Sequence, residues 1–198
     1  VRETIESCVE LGIKNLTLYV FSIENWKRPK SEVNALMKLL VKSVKNEIVE
    51  INKNNIRMRI IGSLERLSDV VKNELLDASN LTVKNDGLNL NLAISYGSKT
   101  EMVDAVKQIT SKVKKNIISI ENIDEKLINE HLYTKISKNV DLLIRTGGEF
   151  RLSNFLLWQN SYAELLFYDM LWPDFRKKDF YNSIIIYQKR NRRFGKTT

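Results

Sequence analysis

A chain of 198 residues with 43% apolar and 28% charged residues has the size and make-up of one folded domain, which excludes an intrinsically disordered or low-complexity protein. A formal net charge of +8 points to anionic partners, whether nucleic acid, membrane surface or small phosphorylated molecules, without choosing among them. The single cysteine, Cys8, excludes an internal disulfide; with no CxxC or Cys/His metal spacing, the sequence predicts a reducing compartment and Cys8 as a small core residue. The longest apolar stretch, around Ile184 to Tyr187, falls far short of the roughly 20 residues of a membrane span. No basic-then-apolar leader is read at the start, so a cytoplasmic location is expected.

The spacing Val1, Ile5, Val9 is helical with no capping residue before it, so the chain is read as entered in mid-helix, with Gly12 as the stop. Leu16 to Phe21 is a strand by β-propensity. Ser31 is expected to cap a long helix whose apolar positions Val33, Leu36, Met37, Leu40, Val44, Ile48 and Ile51 keep the 3.6-residue period. Ile56 to Ile61 is the next strand and Val70 to Leu81 a helical stretch. After the turn at Asn85-Asp86-Gly87 comes a strand over Leu88 to Tyr96, with apolar residues at 88, 90, 92 and 94.

Met102, Val106, Ile109 and Val113 mark another helix, and Asp124 is expected to cap a short one running to Leu132. Leu142 to Arg145 is a short apolar strand that runs into Thr146-Gly147-Gly148. A further strand is read at Leu165 to Phe167 and a last helix over Lys178 to Asn191. Repeated strand-then-helix order predicts an α/β fold in which a mostly parallel central sheet is flanked by helices. Ligands in such sheets gather beyond the carboxyl ends of the strands, which directs attention to the loops after Phe21, Tyr96 and Arg145.

The first of these loops reads Ser22-Ile23-Glu24-Asn25-Trp26-Lys27-Arg28-Pro29, for which a turn with a packed indole is as good an account as a site. The loop after Arg145 is more pointed. Its two glycines let backbone amides approach an anion, Ser153 is placed to cap a helical segment beginning near Asn154, and Arg145 and Arg151 flank the cradle with guanidinium forks suited to phosphate oxygens. The pattern is neither a Walker loop nor GxGxxG. Glu164, at the start of an apolar run, needs a partner: an arginine would make it structural, a magnesium ion bridging to a diphosphate would make it functional. His131, among Leu127, Ile128 and Leu132, is read as core or surface.

Five blocks together, Leu16 to Pro29 (LTLYVFSIENWKRP), Arg145 to Gln159 (RTGGEFRLSNFLLWQ), Tyr162-Ala163-Glu164, Leu171 to Phe175 (LWPDF) and Arg192 to Gly195 (RRFG), resemble in order the signature blocks of the undecaprenyl diphosphate synthases, a cis-prenyltransferase family. The resemblance implies an α/β homodimer that adds isopentenyl diphosphate units, with cis double bonds, to an allylic diphosphate such as farnesyl diphosphate, using magnesium, to make a cell-wall lipid carrier. Arg145, Arg151 and Ser153 would hold isopentenyl diphosphate and Glu164 would join the magnesium site. Ser22, Asn25, Trp26 and Arg28 would organise the reaction centre, with Asn25 aiding proton removal. Arg193 and Gly195 resemble a motif that reaches the partner subunit's active site. Peripheral membrane contact for product release is implied, without a transmembrane span. The growing hydrocarbon also needs an apolar sleeve, of which the long helix can furnish one wall, although most of its apolar stripe is read as ordinary core.

The family's opening strand and its Asp-Gly-Asn-Gly-Arg-Trp block have no counterpart here. The chain is therefore read as a single cis-prenyltransferase domain lacking its N-terminal strand and loop. Ser95-Tyr96-Gly97-Ser98-Lys99 also departs from the usual Asn-Tyr-Gly-Gly-Arg. The absent aspartate favours an alternative, a non-catalytic partner subunit of a two-component enzyme; against it stands the intact block from Arg145 to Ser153. A nucleic-acid binder is the third reading, opposed by arginines that cluster at glycine loops with no basic stripe, so no nucleic-acid partner is expected.

Overall fold

The computed structural model describes residues 1–137 and 139–193. Helix α1 covers Arg2–Glu10, β1 Asn15–Ser22, α2 Lys30–Lys53, β2 Arg57–Ile61, α3 Asp69–Leu81 and β3 Asn89–Tyr96. Then follow α4 (Ser98–Lys114), α5 (Glu125–His131), β4 (Leu142–Arg145), β5 (Glu164–Phe167) and α6 (Lys177–Gln188). All strand pairs are parallel, as the strand-then-helix order requires, but they form two sheets: β1-β3-β2, and β4-β5.

β3 is the most enclosed element. Its alternation puts Leu90, Leu92 and Ile94 on the face packed with Val33, Met37, Val44 and Ile51 of α2, Leu75 of α3 and Phe180 of α6. The other face carries Ala93, which packs with Ile61, Tyr96 and Leu156, and Asn91, buried because its amide donates to Thr17 Oγ1 and Ser137 Oγ. The turn before β3 is held as the Asn-Asp-Gly sequence suggests. Asn85 Nδ2 donates to Ile56 O at 2.8 Å, and Gly87 passes so close to Asn55 O that a β-carbon would meet it at 2.5 Å. Cys8 is 1% exposed, as expected of a core residue, and burial pushes its thiol up to about 12.

Some boundaries differ from expectation. The long helix begins at Lys30 with Pro29 as its N-cap, and Val33 N–H donates to Pro29 O at 3.1 Å; proline's fixed φ starts the helix two residues before the expected cap, Ser31. Helix α6 stops at Gln188 rather than Asn191. Asp124 caps α5 as read, accepting from Leu127 N–H at 2.7 Å. His131 is buried, bonded to Leu127 O and Lys112 Nζ.

Between the two sheets lies a cavity of about 440 Å³. One wall is the unpaired edge of β1 with its approach, Lys14 to Leu18, and the opposite wall is the unpaired edge of β4, Asp141 to Ile144. Thr4, Cys8, Phe175, Phe180 and Ile184 line one face and Thr134, Leu156 and Gln159 the other. A mostly parallel central sheet short of one strand was expected; here β1-β3-β2 and β4-β5 are two parallel sheets with a slot between them. No helix among the described residues is long and apolar enough to cross a membrane.

Candidate functional site: three loops knotted at the carboxyl ends of the strands

The loops after β1, β3 and β4 meet, and polar side chains tie them. After β1 the chain makes a 3-10 turn over Ile23–Lys27, closed where Asn25 Oδ1 accepts from Ser22 N–H at 2.8 Å. Trp26 then reaches across to the second loop, its indole N–H donating to Ser95 Oγ at 2.8 Å and its ring set edge-on to Phe21. Gly97 is glycine because the first and third loops close on it: a β-carbon there would lie 2.7 Å from Asn154 Nδ2 and 2.8 Å from Ile23 Cγ2.

Asn154 is the knot. Its carbonyl accepts from Ser98 N–H at 2.8 Å, its side-chain oxygen accepts from Lys99 N–H at 2.9 Å, and its amide donates to Glu24 Oε1 at 2.8 Å. It thus caps the start of α4 from another loop while holding the first. For Glu24, partial burial acts to raise the carboxyl, but the hydrogen bonds from Asn154, its own backbone and Ser22, with Lys27 nearby, leave it below the usual range. Tyr19 adds a second tie, its hydroxyl donating to Tyr96 O at 3.2 Å and approaching Ser153 O at 3.5 Å, with its ring stacked on Phe155 at 4.4 Å. Burial pushes that phenol up to about 12, with Glu24 adding to the effect.

In the third loop Arg145 turns back on its own segment. Its Nη1 donates to Ser153 Oγ at 2.9 Å and to Arg151 O, so the guanidinium spends one nitrogen on shaping the loop. Arg151 is exposed and paired with Glu149. Ser153, Asn154 and Leu156 all have left-handed backbone, with φ of 47°, 61° and 47°, strain that persists only where surrounding contacts impose it. Among the described residues no α-helix begins near Asn154, so the expected capping role of Ser153 is corrected: the hydroxyl accepts from Arg145 instead. The expected backbone cradle is corrected too. Gly147 N–H donates to Met170 O and Gly148 N–H to Tyr168 O, at 2.8 and 3.0 Å, because the chain after β5 continues beside this loop and consumes its amides. An anion here would not meet the two glycine amides.

The other sequence-predicted residues are dispersed. Arg28 is exposed and paired with Glu32 one helical turn on, at 2.8 Å. Glu164 lies at the amino end of β5, in register with Leu142, whereas Arg145 is in register with Phe167 at the carboxyl end; three residues of strand, roughly 10 Å, separate the two positions. Its carboxylate accepts from Arg190 at 2.7 Å, the structural partner foreseen as one of its two options. Arg192 bonds Asp141 at 2.5 Å and Tyr162 O, so the segment after α6 is fastened to the amino edge of the small sheet. Arg193 is exposed, and Gly195 lies outside the described residues. Magnesium takes several hard oxygen donors. Among the described residues no group of three His, Cys, Asp or Glu converges, and Glu164 is engaged, so these side chains do not by themselves make a magnesium site.

Sequence reasoning missed Tyr19, Glu24, Asn154 and Glu101. Their ties run between segments far apart in the chain, and no local pattern marks them.

A parallel α/β scaffold with arginines and a serine gathered at a strand's carboxyl end is chemically suited to anionic ligands such as phosphates. The comparisons are more specific. The family model described as "Putative undecaprenyl diphosphate synthase" matches residues 1–195. An isoprenyl transferase of Chlorobaculum tepidum is 48% identical over 198 residues, covering all of this chain and 75% of the relative. The farnesyl-diphosphate-specific ditrans,polycis-undecaprenyl-diphosphate synthase of Haemophilus influenzae is 47% identical, covering all of this chain and 82% of the relative. Among solved structures, lavandulyl diphosphate synthase from Lavandula x intermedia in complex with dimethylallyl diphosphate superposes with a TM-score of 0.95 at 35% identity, over 98% of this chain and 84% of that one. A probable undecaprenyl diphosphate synthase from Campylobacter jejuni gives a TM-score of 0.88 at 39% identity, over 98% and 89%. The chain belongs to the undecaprenyl diphosphate synthase family of prenyltransferases. Its relatives are named as transferases and synthases, and the reading as a non-catalytic partner subunit gains no support from them.

Proposed function

We propose that this chain carries out cis-prenyl elongation, the repeated condensation of isopentenyl diphosphate with an allylic diphosphate such as farnesyl diphosphate, in the cytoplasm and as a homodimer. The observation that carries the reading is the knot of three loops around Arg145, Ser153 and Asn154, in a chain whose relatives are synthases of this kind. Arg145, Arg151 and Ser153 seat the diphosphate of isopentenyl diphosphate. Asn25, Ser22 and Trp26 shape the reaction centre beside it, and Arg28 reaches a substrate by releasing Glu32. Holding the two reactants in line supplies much of the rate, and cationic donors offset the charge left on the departing diphosphate.

The slot between the sheets belongs to this proposal. A single extended segment placed there, parallel to both edges, would pair with β1 and β4 and join five strands into a six-stranded sheet, and its carboxyl end would emerge beside the knot. Gln159 lines the slot, and its buried side-chain oxygen has no hydrogen-bond partner among the described residues, so this wall of the slot is not fully satisfied by the five strands alone. The allylic diphosphate then sits at that strand's end. Magnesium, implied by the family resemblance, would need diphosphate oxygens and donors beyond the side chains described.

The test is incorporation of labelled isopentenyl diphosphate with farnesyl diphosphate and magnesium, run on this chain and on one extended at its start with a family-like strand and loop. Chain elongation by the extended protein is expected. Inactivity of both would overturn the reading.

A further inference from the structure

The mechanism above leaves unused the most enclosed carboxylate in the molecule, Glu101 in the first turn of α4, which is 0% exposed. It is held by three neutral donors. Its Oε1 accepts from Tyr133 N–H at 2.7 Å; its Oε2 accepts from the Tyr96 hydroxyl at 2.5 Å and from Gln159 Nε2 at 3.0 Å. Carboxylates are taken out of water only where such bonds compensate them, and removing the acceptor strands every donor around it.

Two of those donors lead to the knot. Tyr96 ends β3; its carbonyl accepts from Tyr19, whose hydroxyl also faces Ser153 O, and its ring lies edge-on to Tyr19 and Phe155. Burial, reinforced by Glu101, drives the Tyr96 phenol far above its ordinary value, so it is a fixed donor. Gln159 closes the segment that begins at Ser153, and its amide nitrogen is shared between Glu101 and Thr134 Oγ1 at 2.7 Å. Both ends of the strained stretch from Ser153 to Gln159 are thereby fastened, directly or through Tyr19, to one buried carboxylate.

We infer that Glu101 is a positioning residue for the diphosphate seat: through Tyr96 and Gln159 it holds Ser153 and its neighbours in the left-handed backbone that presents Arg145 and Ser153 to an anion. The inference rests on the proposed function for the identity of that anion, not for the geometry.

The experiment compares Glu101→Leu, which removes both acceptor oxygens at similar volume, with Glu101→Gln, and with Leu75→Ala as a control for destabilisation remote from the loops. Leu75 is fully buried on α3. Inorganic diphosphate is titrated calorimetrically into each, and amide hydrogen exchange is followed over residues 151–161. Glu101→Leu is expected to weaken diphosphate about tenfold and to speed exchange in that segment. Glu101→Gln keeps an acceptor for Tyr133, and Gln159 can turn over to meet it, so its loss is expected to stay within about threefold. Leu75→Ala is expected to lower the melting temperature with neither effect. In Glu101→Leu combined with Tyr96→Phe, the losses are expected not to add, because the two act as one unit.

Unchanged exchange over 151–161 in Glu101→Leu overturns the inference, as does a weakening no larger than that of Leu75→Ala. A wild-type chain that binds no diphosphate overturns the assignment of the seat instead, and the exchange result then decides the role of Glu101 alone.

Discussion

The β1-β3-β2 sheet and the β4-β5 sheet share strand direction but are held in different ways. β3 has a neighbour on each edge and a packed layer on each face, with Leu90 and Ile94 at 1% and 0% exposure. β4 has β5 on one side and the slot on the other, and its ends are fastened by polar ties: Arg145 to Ser153 at the carboxyl end, Arg192 to Asp141 beside the amino end. The larger half takes its shape from burial. The smaller half, which carries the proposed anion seat, takes its shape from hydrogen bonds between segments, and such sites are correspondingly sensitive to single polar changes.

The difference is open to direct attack. The largest effect expected is on activity: Arg145→Ala, in the chain extended with an opening strand, should lower kcat/KM for isopentenyl diphosphate by about 10² to 10³-fold while the urea midpoint hardly moves; a midpoint shift as large as that of a core deletion would make Arg145 structural. Next come the cores. Leu90→Ala should cost about 3 kcal/mol of stability, whereas Leu143→Ala, whose side chain already borders the slot, should cost about 2 kcal/mol. Equal losses in denaturant unfolding would mean that the two halves are packed alike.

Smaller still is Arg190→Ala, which breaks a partly covered pair with Glu164 and should cost about 1 kcal/mol. Reduced elongation with that small loss would mean that the fastening of the tail matters to the site. The subtlest effect is Cys8. Its folded thiol is raised from 9.0 to about 12 by burial. The unfolded thiol therefore ionises first, and the thiol's contribution to stability is present below pH 9 and lost as pH rises toward 12. Alkylation of the native chain at pH 8 should accordingly track global unfolding; rapid modification would show that α1, which carries Cys8, opens locally.

What was legible in the sequence followed the periodic elements. The apolar alternation of Leu88, Leu90, Leu92 and Ile94 found β3, the heptad-like spacing from Val33 to Ile51 found α2, and Asp124 found the start of α5. The importance of the loops after Phe21, Tyr96 and Arg145 was legible from strand direction alone. Their construction was not. Asn154 looks like any loop asparagine until Ser98, Lys99 and Glu24 are brought to it, and nothing near Glu101 in the chain announces Tyr133 and Gln159 as donors. The glycine cradle misled for the same reason: Gly147 and Gly148 are flexible in sequence, but Met170 and Tyr168 take their amides.

The slot also bears on how such a molecule behaves in a crowded solution. Two parallel edges, from Asn15 to Leu18 and from Asp141 to Ile144, face a shared cavity rather than open water. Unpaired edges are the templates through which chains stick to one another, and here both are turned inward and roofed by α6 and the segment around Gln159. A strand seated between them removes the hazard altogether. Edges held in this way keep their unpaired groups from a neighbouring copy without relying on the charged or proline residues that exposed edges need.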